Sequence, residues 1–186
     1  MTGWNSAAYG ADVARLLALD GSGARLMPLA GGACSSEAAR REIASRDASA
    51  WFPASRTPEA ALAGFYVYFS CSDEAHKVAQ DVSGVDGSYW HAIVHRQEPD
   101  AENARYWFQR VGAHPIFPRL LASAREIGRA FGEPSWTKAQ AWDPEAFIVL
   151  CEEARSLPGS ERERMALEIQ RCEWQLLFDH CARSKA

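Results

Sequence analysis

Helix start signals recur along this chain, while the two-residue alternation of strands hardly appears. Thr57 precedes Pro58, Asp143 precedes Pro144, and Ser36, Asp100 and Ser160 each stand before a run with helical spacing. A short polar side chain at such a place accepts a bond from an unpaired N–H of the first turn. Proline just after it loses nothing, because its N–H would have had no partner in the helix. The pattern constrains the chain to stacked helices, and the rest of the reading follows from where they begin and end.

Near the N-terminus Val13, Leu16 and Leu17 keep a helical rhythm that stops at Gly21. A glycine-rich connection follows, and Ser36 with Glu37 restarts a helix. Thr57 opens an almost continuously apolar run through Phe69, as expected of a helix central to the core. A buried strand over Phe65 to Phe69 is the alternative, and the cap and the alanines favour helix. Ser72 is expected to cap the next helix. Ser88 is expected to cap one that ends near Glu98, because a residue before proline avoids helical backbone and Pro99 follows. Asp100 opens a helix closed by Gly112, another runs from about Pro118 to Phe131, and Ser160 caps the last. The expectation is one all-α domain over residues 1–186, with about seven to nine helices and 1–56 the least defined part.

Composition removes several functions. The net charge of −4 supplies no basic excess to neutralise phosphates, so nucleic acid is not an expected partner. The longest apolar run, Ala61 to Phe69, is about half of what a bilayer requires. Asp12 and Arg15 interrupt the only early apolar segment, so no secretory leader is expected and the chain reads as cytoplasmic. The 5 cysteines form no Cys-x-x-Cys pair, which argues against a disulfide framework or zinc ribbon. Cys71, Cys151 and Cys172 sit in apolar contexts and read as reduced, buried thiols.

The chemistry concentrates in Ser88 to Phe117, "SYWHAIVHRQEPDAENARYWFQRVGAHPIF". With Tyr89 at zero and about 100° per residue, Tyr89, Ile93, Gln97, Trp90 and Val94 span roughly 0° to 140°. Glu98, His91 and His95 fall at about 180°, 200° and 240°, one stripe beside the apolar arc. Histidines four apart lie one turn apart on a face and can share a divalent metal ion such as zinc. Ala92 stands where the metalloprotease motif needs glutamate, and a zinc site needs at least a third protein ligand. His76, one short connection back, is the candidate for that ligand. The competing readings are a polar helix face with structural hydrogen bonds, and a metal-free pocket that binds a small molecule or moves its protons. Catalytic candidates are Glu98, Glu173 and Arg96. His114, before Pro115, reads as capping or loop chemistry, and His180 as a partner of the helix dipole.

The last helix has two apolar stripes. Met165, Ile169, Cys172 and Leu176 form one, and Leu167, Trp174, Leu177, Phe178 and Cys181 form the other. Such a helix is sandwiched in the interior or covers a subunit interface. If it is interior, Glu173 is a buried carboxylate that needs a partner, and arginine or histidine from the Ser88 segment is the natural choice. Arg96 could pair with Glu173 or clamp the turn at Asp100.

The quoted stretch, with "EWQLLFDHC" downstream, resembles a group of conserved bacterial proteins for which no activity is established. The resemblance covers about the central third and the C-terminal helix and implies no catalytic residues. In kind, His91, His95 and His76 are similar to the His-x-x-x-His pair plus distant histidine of helical bundles of the DinB type. Two functions from different classes follow as expectations. One is a helical protein with a metal or small-ligand pocket and hydrolase- or transferase-like chemistry. The other is a non-enzymatic interaction protein, such as a homodimer, that associates through its last helix.

Overall fold

The computed structural model describes residues 4–55 and 57–183. The helices are α1 (Ala11–Leu17), α2 (Glu37–Ala44), α3 (Ala48–Trp51), α4 (Pro58–Tyr68), α5 (Ser72–Asp81), α6 (Val85–Gln97), α7 (Ala101–Val111), α8 (Phe117–Ala130), α9 (Pro134–Lys138), α10 (Pro144–Arg155) and α11 (Glu161–Ala182). Short 3-10 turns flank α1 at Ser6–Tyr9 and Ala18–Gly23. The fold is all-α, and no strand occurs among the described residues. Among the described residues the eleven α-helices exceed the expected seven to nine because α3 and α9, of 4 and 5 residues, are too short to show a period. Phe65 to Tyr68, the alternative strand, completes α4.

Several starts form as their caps dictate. Ser36, Asp100, Asp143 and Ser160 each accept a first-turn backbone N–H. Gly112, at φ 61°, takes the left-handed backbone that closes α7. Ser88 does not cap α6. The helix begins three residues earlier at Val85, and the Ser88 hydroxyl donates to Gly84 O one turn back (3.1 Å). Ser72 is likewise the first residue of α5, not its cap.

α6 is the central helix. It packs against α4, α5 and α7, and Tyr89 through Gln97 are all buried. The histidines of the expected polar stripe are therefore not on a solvated face, whereas Glu98 at its end is exposed. α5 and α7 cover the rings, and His91 and His95 are 3% and 8% exposed. α11 packs on α4, α8 and α10, which cover its two apolar sides within the chain. The Trp174 indole donates to Gly64 O (2.8 Å), and its ring stacks on Phe178 (4.9 Å) and lies against Tyr68 (4.6 Å). Gly64 lets side chains of α6 and α11 press against the α4 backbone. A Cβ there would sit 2.8 Å from Trp90 Cζ2 and 3.0 Å from Phe178 Cδ2.

The N-terminal third is threaded through this packing. Tyr68 accepts the Gly23 N–H at 2.9 Å and donates to Asp20 O. The segment after α1 crosses the C-terminal end of α6, where Gln97 O accepts the Gly31 N–H. It then meets α4 where Phe69 O accepts the Ser35 N–H. That path brings Cys34 to Cys71, and the two form a disulfide. This corrects the reading of Cys71 as a reduced thiol, since a pairing across 37 residues leaves no trace in spacing. Cys151 and Cys181 are buried thiols, and Cys172 is half-buried. No helix among the described residues is long and apolar enough to cross a membrane.

Candidate metal centre

His91 and His95 lie one turn apart on α6, as their spacing requires, and α5 runs beside them carrying His76. The three rings meet at their Nε2 atoms. His91 Nε2 is 3.0 Å from His76 Nε2 and 3.1 Å from His95 Nε2. Three nitrogens at about 2.0–2.1 Å around a tetrahedral zinc would be roughly 3.3 Å apart. The two separations at His91 are thus within a few tenths of an ångström of that spacing, and all three ligand atoms lie within 4.8 Å of one another.

Glu98 lies behind two of the rings. Its Oε1 is 2.9 Å from His76 Nδ1, and its Oε2 is 3.3 Å from His95 Nδ1. Asp100 Oδ2 is 3.8 Å from the same His95 nitrogen. The first contact is a hydrogen bond. The other two are close but not aligned, and His95 Nδ1 has no bonded partner among the described residues. A carboxylate accepts from Nδ1–H, so His76 carries its proton on Nδ1 and turns a bare Nε2 lone pair toward the other rings. Carboxylate behind, imidazole between and metal in front is the usual outer support of a histidine ligand. Behind His91, the ring of Trp107 lies at 4.2 Å between centroids.

The charges agree with neutral rings. Burial, then the neighbouring His95 and His76, push His91 down to about 4. Burial also lowers His95, against an upward pull from Glu98. A neutral His91 has at most one Nε2–H to offer its two neighbours. Burial and the nearness of the other rings disfavour a second proton on it. His76 and Glu98 side chains are 32% and 33% exposed, so the cluster meets solvent on that side.

The remaining catalytic candidates lie elsewhere. Arg96 and Glu173 form a fully buried ion pair between α6 and α11 at 2.5 Å. Glu173 also accepts the Tyr89 hydroxyl (3.0 Å), and Arg96 stacks on Phe147 (4.5 Å). These bonds supply the partner that a buried Glu173 was expected to need. They commit both groups to the α6–α11 contact, and neither hydrogen-bonds a histidine of the cluster. Glu98 belongs to the cluster, but behind the rings and not at their meeting point.

A second group escaped the sequence reading. Asp86 Oδ1 lies 3.0 Å from His114 Nε2 and 3.3 Å from His180 Nε2, and Thr57 Oγ1 donates to Asp86 Oδ2 (3.4 Å). These residues come from the first turn of α6, the α7–α8 connection, the last turns of α11 and the start of α4. No sequence spacing links them. Although burial raises Asp86, the bond from His114 and the charge of His180 outweigh it and hold the carboxyl low. Both groups could hold a metal by proximity alone. Their tautomers separate them. His114 Nδ1 accepts the Ile116 N–H (3.4 Å), so its proton sits on Nε2 and is donated to Asp86. That group is satisfied by hydrogen bonds, whereas the His76 group is not.

No protein-family model, curated protein or solved structure matches the chain.

Proposed function

We propose that the protein binds one divalent transition-metal ion, with zinc the best fit, through His76, His91 and His95. The reading is supported above all by the convergence of three imidazole Nε2 atoms on one point. Nitrogen ligands from neutral imidazoles suit zinc and its neighbours in the transition series, and exclude magnesium and calcium, which take oxygen. Glu98 accepts the His76 Nδ1–H and so orients its ring. Trp107 fixes the plane of His91.

Three protein ligands leave one position for water or substrate, the pattern of catalytic rather than structural zinc. The solvent-facing edge at His76 and Glu98 is where that position would open. A bound ion there would acidify water and polarise a carbonyl or phosphoryl oxygen, so the supported chemistry is metal-assisted hydrolysis or group transfer. Association through α11, the other function expected from the sequence, loses its motive because α4, α8 and α10 cover that helix.

The test is metal analysis of purified protein reconstituted with zinc and dialysed, beside a His91→Ala/His95→Ala double variant. The expected result is about one zinc per wild-type chain and almost none in the variant, with equal helical circular dichroism. Negligible zinc in both would overturn the reading.

A further inference from the structure

The face of α7 that lines the histidine cluster carries a gradient of chemistry. At its start Asp100 lies near His95, with Asn103 bonded to the same carboxylate (2.6 Å). In its middle Trp107 lies on His91 at 4.2 Å, with Tyr106 beside it (5.4 Å). One turn later the Arg110 guanidinium covers both rings, 5.3 Å from Trp107 and 5.8 Å from Tyr106. Positions 100, 103, 107 and 110 follow the three-and-four spacing of one helical stripe.

Arg110 differs from its neighbour Arg105, which is bound to Glu145 and lies near Glu152. Among the described residues no carboxylate pairs with Arg110, and its one hydrogen bond is a long contact to the Tyr106 hydroxyl (3.5 Å). The aromatic rings hold the guanidinium in place by cation–π attraction while leaving its N–H donors unspent. Its distance from the His91 ring cannot exceed the sum of the two separations through Trp107. Arg110 and His91 thus share Trp107 as a common neighbour, which places a cation on the same helix face as the histidine cluster.

We infer that the histidine centre acts on a small substrate bearing an oxyanion, a carboxylate or phosphate, which Arg110 receives while the reacting group occupies the metal's open position. This rests on the metal reading above. The acidic groups near His95 and the basic group beyond Trp107 give the substrate one orientation. Its anion is repelled from the Glu98 and Asp100 end and drawn to the Arg110 end. A planar, forked guanidinium suits either oxyanion because it can donate two parallel bonds.

The experiment uses zinc-loaded protein and two hydroxamate probes of equal length, both able to ligate zinc. One is butyrohydroxamate, which is neutral, and the other is succinate monohydroxamate, which carries a carboxylate. The wild type is expected to bind the charged probe about ten-fold more tightly. Arg110→Gln should erase that preference while retaining one zinc and the affinity for the neutral probe, and Arg110→Lys should restore part of it. Equal affinity for the two probes in the wild type would overturn the inference, as would a preference that survives in R110Q. The two readings fail distinguishably. If the wild type loses its zinc on dialysis, the metal centre falls and this inference with it. If zinc stays and the preference is missing, only the substrate class falls. A phosphate-tethered hydroxamate in the same assay separates the two oxyanions, and the inference commits to whichever gains more from Arg110.

Discussion

At the residue scale the centre depends on the His91 and His95 imidazoles being kept neutral. In the unfolded chain His91 takes up a proton near its ordinary 6.5, and in the folded protein only near 4. Between those values the unfolded state binds more protons, so acid favours unfolding. The stability tied to His91 is present above about 6.5 and is lost as the pH falls toward 4. Urea midpoints of the metal-free protein should fall across that window, and His91→Ala should flatten the fall. Parallel profiles for the two proteins would show that His91 is not held neutral. Glu98 is expected to act through His76. Glu98→Gln should weaken zinc binding by about 10–100-fold with the fold intact, as loss of an outer carboxylate partner usually does. Competition against a coloured chelator measures it, and unchanged affinity would leave Glu98 without an orienting role. The i, i+4 pair and His76 were legible as candidates in the sequence. The place of Glu98 behind the rings was not, because two residues on one stripe can point at each other or past each other.

At the element scale, α6 shows where sequence reasoning stops. Its angular arithmetic places His91, His95 and Glu98 on one side, and the structure keeps them there. Whether that side meets water depends on α5 and α7, which no pattern within α6 encodes. Gly84 begins it without a side-chain bond, so no polar cap marks the start and Ser88 lies inside the helix. Side-chain caps are legible at Ser36, Asp100, Asp143 and Ser160, whereas Thr57 stands at the start of α4 without making the bond and Glu133 caps the short α9 unheralded. Asp100 accepts the Asn103 N–H (3.1 Å) as read, and Asp100→Ala should cost about 1 kcal/mol of stability by urea unfolding. The tie between α6 and α11 weighs more. Glu173→Gln would leave the Arg96 charge buried without its counterion and should cost about 3–5 kcal/mol in the same measurement. A cost near zero would mean that water or rearrangement compensates, and that the pair does not hold the two helices together.

Across the whole molecule, the helical class was legible because caps and apolar spacing are local properties. The Cys34–Cys71 bond and the Asp86–His114–His180 group were not, since each joins distant segments only after the chain has packed. The two-sided α11 was legible as a helix needing cover on both sides, and α4, α8 and α10 supply it. Gly64 is a close-packed point between α4, Trp90 and Phe178. Gly64→Ala should force Trp90 and Phe178 apart and cost about 1–3 kcal/mol. It should leave zinc affinity unchanged if the core and the centre are independent, and a thermal melt paired with a zinc titration reads both. The central claim is that one ion lies among His76, His91 and His95, and X-ray absorption of zinc-reconstituted protein tests it most directly. The account predicts three imidazole nitrogens at about 2.0–2.1 Å with one further light ligand. A spectrum with fewer than three imidazoles, or one unchanged by His76→Ala, would contradict it.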